Sequence, residues 1–334
     1  MKDLRSLANI CSPSGNESCI TEYLVKEFSN IYDECYVDNI GNVIVKKKGK
    51  TDSSLMLISH MDEVGFMVTF IDDRGFVYFD KIGGVAPEII PGLMLKIHNK
   101  RGCVYGIVGI PIWNRDKAIE CQFGDLWLDI GAKSRKEAMN LVCVGDYISF
   151  VPTFEKLNKN VISSKSLDNR VGVYILSKVM KNISECDIDK TIYAVFSVKE
   201  EIGCIGATVA VNNISPAECI VVDTTHATDY PTCAIKTKGN IKINDGVAIG
   251  IGADTSASVC DKLIQLAIEN HIYYQKEPIP RNSHTEANVI QNSNFGIKTG
   301  ILSIPCRYMH SSHEICSVND INATISLLEL YCRY

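Results

Sequence analysis

Residues Ser54–Ser59 read Ser-Leu-Met-Leu-Ile-Ser, small or apolar at every position, and run straight into His60, Asp62 and Glu63. A strand with one face in water alternates apolar and polar residues. This one does not, so it reads as a strand covered on both faces of a sheet. The imidazole and the two acids at its exit are costly to bury unless they are paired, hydrogen-bonded or coordinated to a metal.

The rest of the chain supplies the covering layers. Up to about Asn30, "LRSLANI" and "ESCITEYLVKEF" read as two short helices separated by "SPSGN", the second with an apolar stripe at Ile20, Tyr23, Leu24 and Phe28. From Val64 to about Phe154 the texture changes to short apolar runs broken by Asp-Asp-Arg-Gly and Asn-Lys-Arg-Gly turns, with one helical piece near "SRKEAMNLV". That pattern predicts antiparallel strands. From "SLDNRVGVYILSKVMKNI" onward, helices alternate again with buried strands such as "TIYAVFSV", "ECIVVD" and "TGILSIP". The expected fold is α/β, a mixed sheet covered by helices and built from residues 1–63 plus 155–334. A small β-rich domain at 64–154 is inserted into it, and 334 residues suffice for both.

Composition removes several function classes. A net charge of −5 gives no bulk electrostatic case for nucleic acid or an anionic membrane surface. The basic run "KKKGK" at Lys46–Lys50 reads as a solvated hairpin end, and no apolar stretch is long enough to cross a bilayer. The N-terminal residues lack a signal-peptide pattern. Fourteen cysteines are scattered singly with no C-x-x-C pair, which fits free thiols in a reducing cytoplasm.

In open α/β sheets, ligands sit beyond the carboxyl ends of the strands. Here His60 and Asp62 follow "SLMLIS", Glu200 and Glu201 follow "TIYAVFSVK", Asp223 follows "ECIVV", and His310 stands a few residues after "TGILSIP". Asp168 joins them from the start of a helix. One sheet edge is thus crowded with carboxylates and imidazoles, strongly repulsive without a cation. Mixed imidazole and carboxylate ligation suits zinc, cobalt or manganese better than calcium. Two histidines with three or more acids exceed the needs of one tetrahedral zinc. Two metals sharing a carboxylate absorb the excess, and such a pair can clamp a hydroxide and polarise a carbonyl. One of the neighbouring acids Glu200 and Glu201 can hold metal while the other moves the proton.

At these residues the chain resembles the two-metal aminopeptidases of the tetrahedral and glutamyl aminopeptidase family, some of whose members carry the label endoglucanase. The resemblance rests on "HMDEVGFMV", "IGGVAPEIIPG", "LDNRVG", "EEIGCIGA", "VVDTTHATDYP" and "IPCRYMHSSHE", which span nearly the whole chain. Carried over residue by residue, it implies Asp168 as the bridge between two divalent ions, zinc or cobalt. It makes His60 and Asp223 the further ligands of one ion, Glu201 and His310 those of the other, and Glu200 the general base. Asp62 would orient His60 through its other ring nitrogen. The resemblance also implies short peptides as substrates, the insert as a dimerisation domain, and six dimers closing into a hollow tetrahedron. Ser283–Ala287, "SHTEA", replaces the family's Gly-Thr-Asp-Ala with a longer acid, and Cys306 and the stretch "GIGADTSASV" also depart, at expected pocket-side loops. A deacylase of N-acyl amino acids would use the same chemistry. A glycoside hydrolase would set two carboxylates facing each other across a sugar and leaves the histidines unexplained. A non-catalytic shell protein would be expected to lack a ligand or the base, and none is missing.

Overall fold

The computed structural model describes residues 2–32, 34–109, 121–233 and 235–334. Among these, an 11-stranded sheet forms the larger body. Its centre is four parallel strands in the order Thr191–Ser197, Ser54–His60, Glu218–His226 and Lys298–Arg307. Antiparallel strands flank them, Val43–Lys47 and Glu34–Val37 on one side, Glu314–Ser317, Val161–Ser164 and Glu155–Lys156 on the other. The expected α/β mixed sheet covered by helices is what forms.

The unbroken apolar run at Ser54–Ser59 has a direct cause. Leu55 and Leu57 point into one core layer, and Met56 and Ile58 into another on the opposite face. Val43, Val45, Ile220 and Val222 join the first pair, and Ile44, Cys219 and Val221 the second. Burial on both sides removes any reason for polar alternation. Helix Leu167–Ile183 is the central brace of the first layer, and Asp168 and Asn169 at its start have non-helical backbone angles. Gly172 in this helix lets it seat against the sheet, because a Cβ there would lie 2.3 Å from Ser59 Oγ and 2.8 Å from the Val222 carbonyl. Gly172→Ala is expected to destabilise the protein by about 1–3 kcal/mol through overpacking. Thermal unfolding of the variant checks this, and an unchanged Tm would refute it.

Between the two halves of the sheet the chain builds a closed barrel, with strands in the order Gly65–Ile71, Val77–Ile82, Trp127–Asp129, Gly102–Gly109, Met94–Asn99 and Tyr147–Phe150. It has its own core, in which Phe66 meets Phe79 and Phe150 edge-on, each at 5.4 Å between ring centroids. Helix Arg135–Leu141 packs Ala138 inward and is capped by Ser134, whose Oγ accepts the Glu137 N–H at 3.3 Å. Residues 110–120 of the insert lie outside the described residues.

Candidate metal centre

The sheet delivers its functional side chains to one edge by two routes. His60 is the last residue of its strand, opposite Ser197. Asp223 lies within a strand rather than after it, since the parallel ladder continues past it to His226↔Cys306. The other candidates sit on irregular backbone. Glu200 and Glu201 enter a turn rather than continuing extended, after Lys199 at φ +58°. Asp168 sits in the distorted first turn of its helix, and His310 has φ +61°, in the left-handed region.

Three groups of side chains bring ligand atoms within 4.8 Å of one another: His60, Asp168 and Asp223; Asp168, Glu201 and His310; and His60, Glu200 and Glu201. In the first, His60 Nε2 lies 3.3 Å from Asp168 Oδ1 and 3.6 Å from Asp223 Oδ1. In the second, His310 Nε2 lies 3.1 Å from Asp168 Oδ2 and 3.3 Å from Glu201 Oε1. Each oxygen of Asp168 therefore faces a different histidine. Asp168 Oδ1 and Glu201 Oε1, though buried, make no hydrogen bond. Nitrogen and oxygen ligands about 2.0–2.2 Å from a tetrahedral zinc lie about 3.3–3.6 Å from each other; three of these four spacings fall in that range and the fourth, 3.1 Å, is slightly shorter. The donor set fits divalent metal.

The electrostatics point the same way. Burial lowers the His60 imidazole, but Asp168, Asp223 and Asp62 outweigh it and hold the ring well above the ordinary histidine range. His310 is pushed up to about 12, where burial is outweighed by Asp168 and Glu201. A cluster that grips imidazole protons this tightly is short of positive charge, and a metal ion would displace those protons on binding. Burial, with the charges of Asp223, Glu201 and Glu286, pushes the Glu200 carboxyl well above the usual carboxylate range.

Asp62 is fully buried, and its carboxylate accepts the N–H groups of Glu200 at 3.0 Å and Glu201 at 3.2 Å, with the Ser14 hydroxyl at 2.5 Å. Its approach to His60 Nδ1 is 3.5 Å, and that nitrogen makes no hydrogen bond. Asp62 thus contacts His60 electrostatically while its acceptor positions serve the backbone.

Other contacts were not apparent from the sequence. His310 Nδ1–H donates to the Gly84 carbonyl at 2.9 Å, which leaves Nε2 to the carboxylates. Gly84 belongs to the insert, and a Cβ on it would lie 3.1 Å from that same Nδ1. Glu314 accepts the N–H groups of Asp168 and His310. Gly84 stands inside the motif "IGGVAPEIIPG" and Glu314 inside "IPCRYMHSSHE", so position within a motif was the available signal. Glu286 of the departing stretch is interior rather than at a pocket rim. It is fully buried, hydrogen-bonded by the Ser197 hydroxyl, and pushed by burial up to about 8. The two departing stretches meet where Asp254 accepts the Ser283 N–H at 2.8 Å. His226 is exposed and lies outside all three groups.

With this geometry in place, the profile described as M42 glutamyl aminopeptidase matches residues 41–327. The lysyl aminopeptidase of Pyrococcus furiosus is 33% identical over 92% of this chain and 89% of its own. The aminopeptidase APDkam598 of Desulfurococcus kamchatkensis superposes with a TM-score of 0.94 at 28% identity, covering 99% of this chain and 93% of its own. The Pyrococcus horikoshii TET1 peptidase, which can assemble into a tetrahedron or a large octahedral shell, matches at 0.89 and 28% identity, over 99% and 98% of the two chains.

Proposed function

Since the chain belongs to the M42 glutamyl aminopeptidase family, it is a peptide hydrolase of the aminopeptidase kind, and we propose that it works with two divalent ions, zinc or cobalt, and Glu200 as general base. The observation that carries this reading is the shared carboxylate, with the two oxygens of Asp168 turned to two different histidines. His60, Asp168 and Asp223 would hold one ion, and Asp168, Glu201 and His310 the other. Such ions, when bound, supply Lewis acidity at the scissile carbonyl and acidify a water molecule. Glu200 accepts the proton of the attacking water at a carboxylate oxygen. It returns that proton to the leaving amine as the C–N bond of the peptide breaks. Asp62 keeps Glu200 and Glu201 in place through their backbone N–H groups.

The test is a screen of aminoacyl chromogenic substrates and N-acyl amino acids against the metal-reconstituted protein. Release of free amino-terminal residues supports the reading. Turnover of the N-acyl compounds alone would make the protein a deacylase and overturn it.

The insert is proposed as the association surface. On one barrel strand pair Met94 stands opposite Ile107, and Tyr105 lies on the same strand as Ile107; all three are large, apolar and exposed. A self-complementary patch of this kind gives a two-fold dimer first. Its likeness to the TET1 peptidase extends the proposal to six dimers enclosing a cavity that admits only short, unfolded peptides. Light scattering is expected to give a dimer or a multiple of it, and a monomer of 36.9 kDa would remove both claims. A stable dimer that degrades long peptides as fast as short ones would remove only the cage. A cytoplasmic location is proposed as well, and the free state of the described cysteines supports it.

A further inference from the structure

We propose that Glu314 is a positioning residue that fixes Asp168 and His310 of the ligand set Asp168, Glu201 and His310 by holding their two backbone amides at once. Its Oε2 accepts the Asp168 N–H and its Oε1 the His310 N–H, each at 2.8 Å, and the residue is 1% exposed. With each oxygen engaged by an amide, it serves as a brace and not as a ligand.

The need for such a brace comes from where the ligands sit. His60 and Asp223 belong to regular strands, and each is paired there with a neighbouring strand, His60 with Ser197 and Asp223 with Ser303. Asp168 and His310 have no such support. Asp168 comes two residues after Ser166, at φ +55°, and stands where its helix has not yet become regular. His310 and Tyr308 both adopt left-handed backbone, at φ +61° and +59°, which residues with side chains rarely take without an outside constraint. Glu314 opens the strand Glu314–Ser317 opposite Ser164, just upstream of Asp168, and closes the turn that carries His310. One carboxylate therefore spans the two irregular segments. Asp62 does the same for the third, taking the amides of Glu200 and Glu201. Between them, these two acids secure the site residues that no ladder holds.

This inference rests on the two-metal reading. Glu314→Gln keeps the side-chain size but offers one acceptor oxygen, and its NH₂ group faces an N–H donor. One of the two amides must then lose its partner. Cobalt titration monitored by visible absorption, with the wild-type protein alongside, is expected to show two binding events in the wild type. In E314Q the event at Asp168, Glu201 and His310 should be weakened by about 10–100-fold, as for other residues that orient metal ligands, and the event at His60 and Asp223, which shares Asp168, should be weakened less. Hydrogen–deuterium exchange of metal-free protein provides a second readout, in which at least one of the Asp168 and His310 amides should exchange faster in E314Q. Fewer than two cobalt ions on the wild type overturns the two-metal reading, and the brace is then judged by exchange alone. Two ions bound equally well by E314Q, or unchanged exchange at both amides, overturns the brace. If E314Q does not fold, Glu314→Asp, too short to span both amides, takes its place with the same expectations. Failure of both variants to fold in the cold makes Glu314 a residue of the fold and overturns the proposal.

Discussion

Glu200→Gln is expected to lower turnover by roughly 10²–10⁴-fold while leaving metal content close to that of the wild type. The substitution preserves the outline of the side chain and its backbone tie, since the Glu200 N–H donates to Asp62 Oδ1 at 3.0 Å whatever the side chain is. What it removes is the capacity to take and return a proton. Glu201, one residue on, faces His310 Nε2 at 3.3 Å and belongs to the candidate ligand set. The paired experiment is therefore kinetics and metal analysis on Glu200→Gln and Glu201→Gln together. If Glu200→Gln loses metal while Glu201→Gln keeps it, the two roles are reversed.

Removing metal should have a larger effect still. Chelation is expected to abolish peptidase activity, and added zinc or cobalt to restore it. In Asp168→Asn, restoration should fail. Both oxygens of Asp168 face imidazole nitrogens, at 3.3 Å and 3.1 Å, so an amide would turn a donor toward one of the two ligand sets and remove a negative charge from both. The backbone contact to Glu314 survives the change, because it uses the Asp168 N–H. A thermal readout separates lost metal from lost fold. An ion that binds only the folded chain stabilises it by about 2.7 kcal/mol at a hundredfold excess over Kd. Metal should raise the Tm of the wild type and leave that of Asp168→Asn almost unmoved. An Asp168→Asn protein that melts higher with metal and regains activity would refute the shared-ligand assignment.

The sequence showed the centre of the fold and the members of the site because burial on both faces leaves a visible mark. Ser54–Ser59, "TIYAVFSV" and "TGILSIP" carry no alternation, and the acids and imidazoles that come after them are chemically out of place beside such runs. Other elements lacked such a mark. Helix Ile205–Ile214, "IGATVAVNNI", is rich in small and β-branched residues that favour no period strongly. Strand Tyr274–Ile279 contains Pro278 and pairs only with Val247–Gly252 among the described residues, an edge position where proline is tolerated. The strands of the insert were legible but their closure into a barrel was not, because closure depends on register between distant strands. The contacts of Glu314 with Asp168 and of Gly84 with His310 join residues far apart in the chain, and beyond their place in the motifs no local pattern reports them.

The hydrogen bond from His310 to the Gly84 carbonyl bears on how this protein could have been assembled and how it can be re-engineered. The barrel looks like an accessory that could be swapped or trimmed without reaching the chemistry. Its loop nevertheless selects which nitrogen of His310 keeps a proton, and so which one is free to coordinate. The boundary between the two bodies runs through the candidate site rather than behind it. A tilt of the barrel, from neighbouring subunits or from a grafted replacement, would reach the candidate ligand His310 through that carbonyl. The two bodies are not interchangeable parts, and a new barrel must bring an acceptor to the same place.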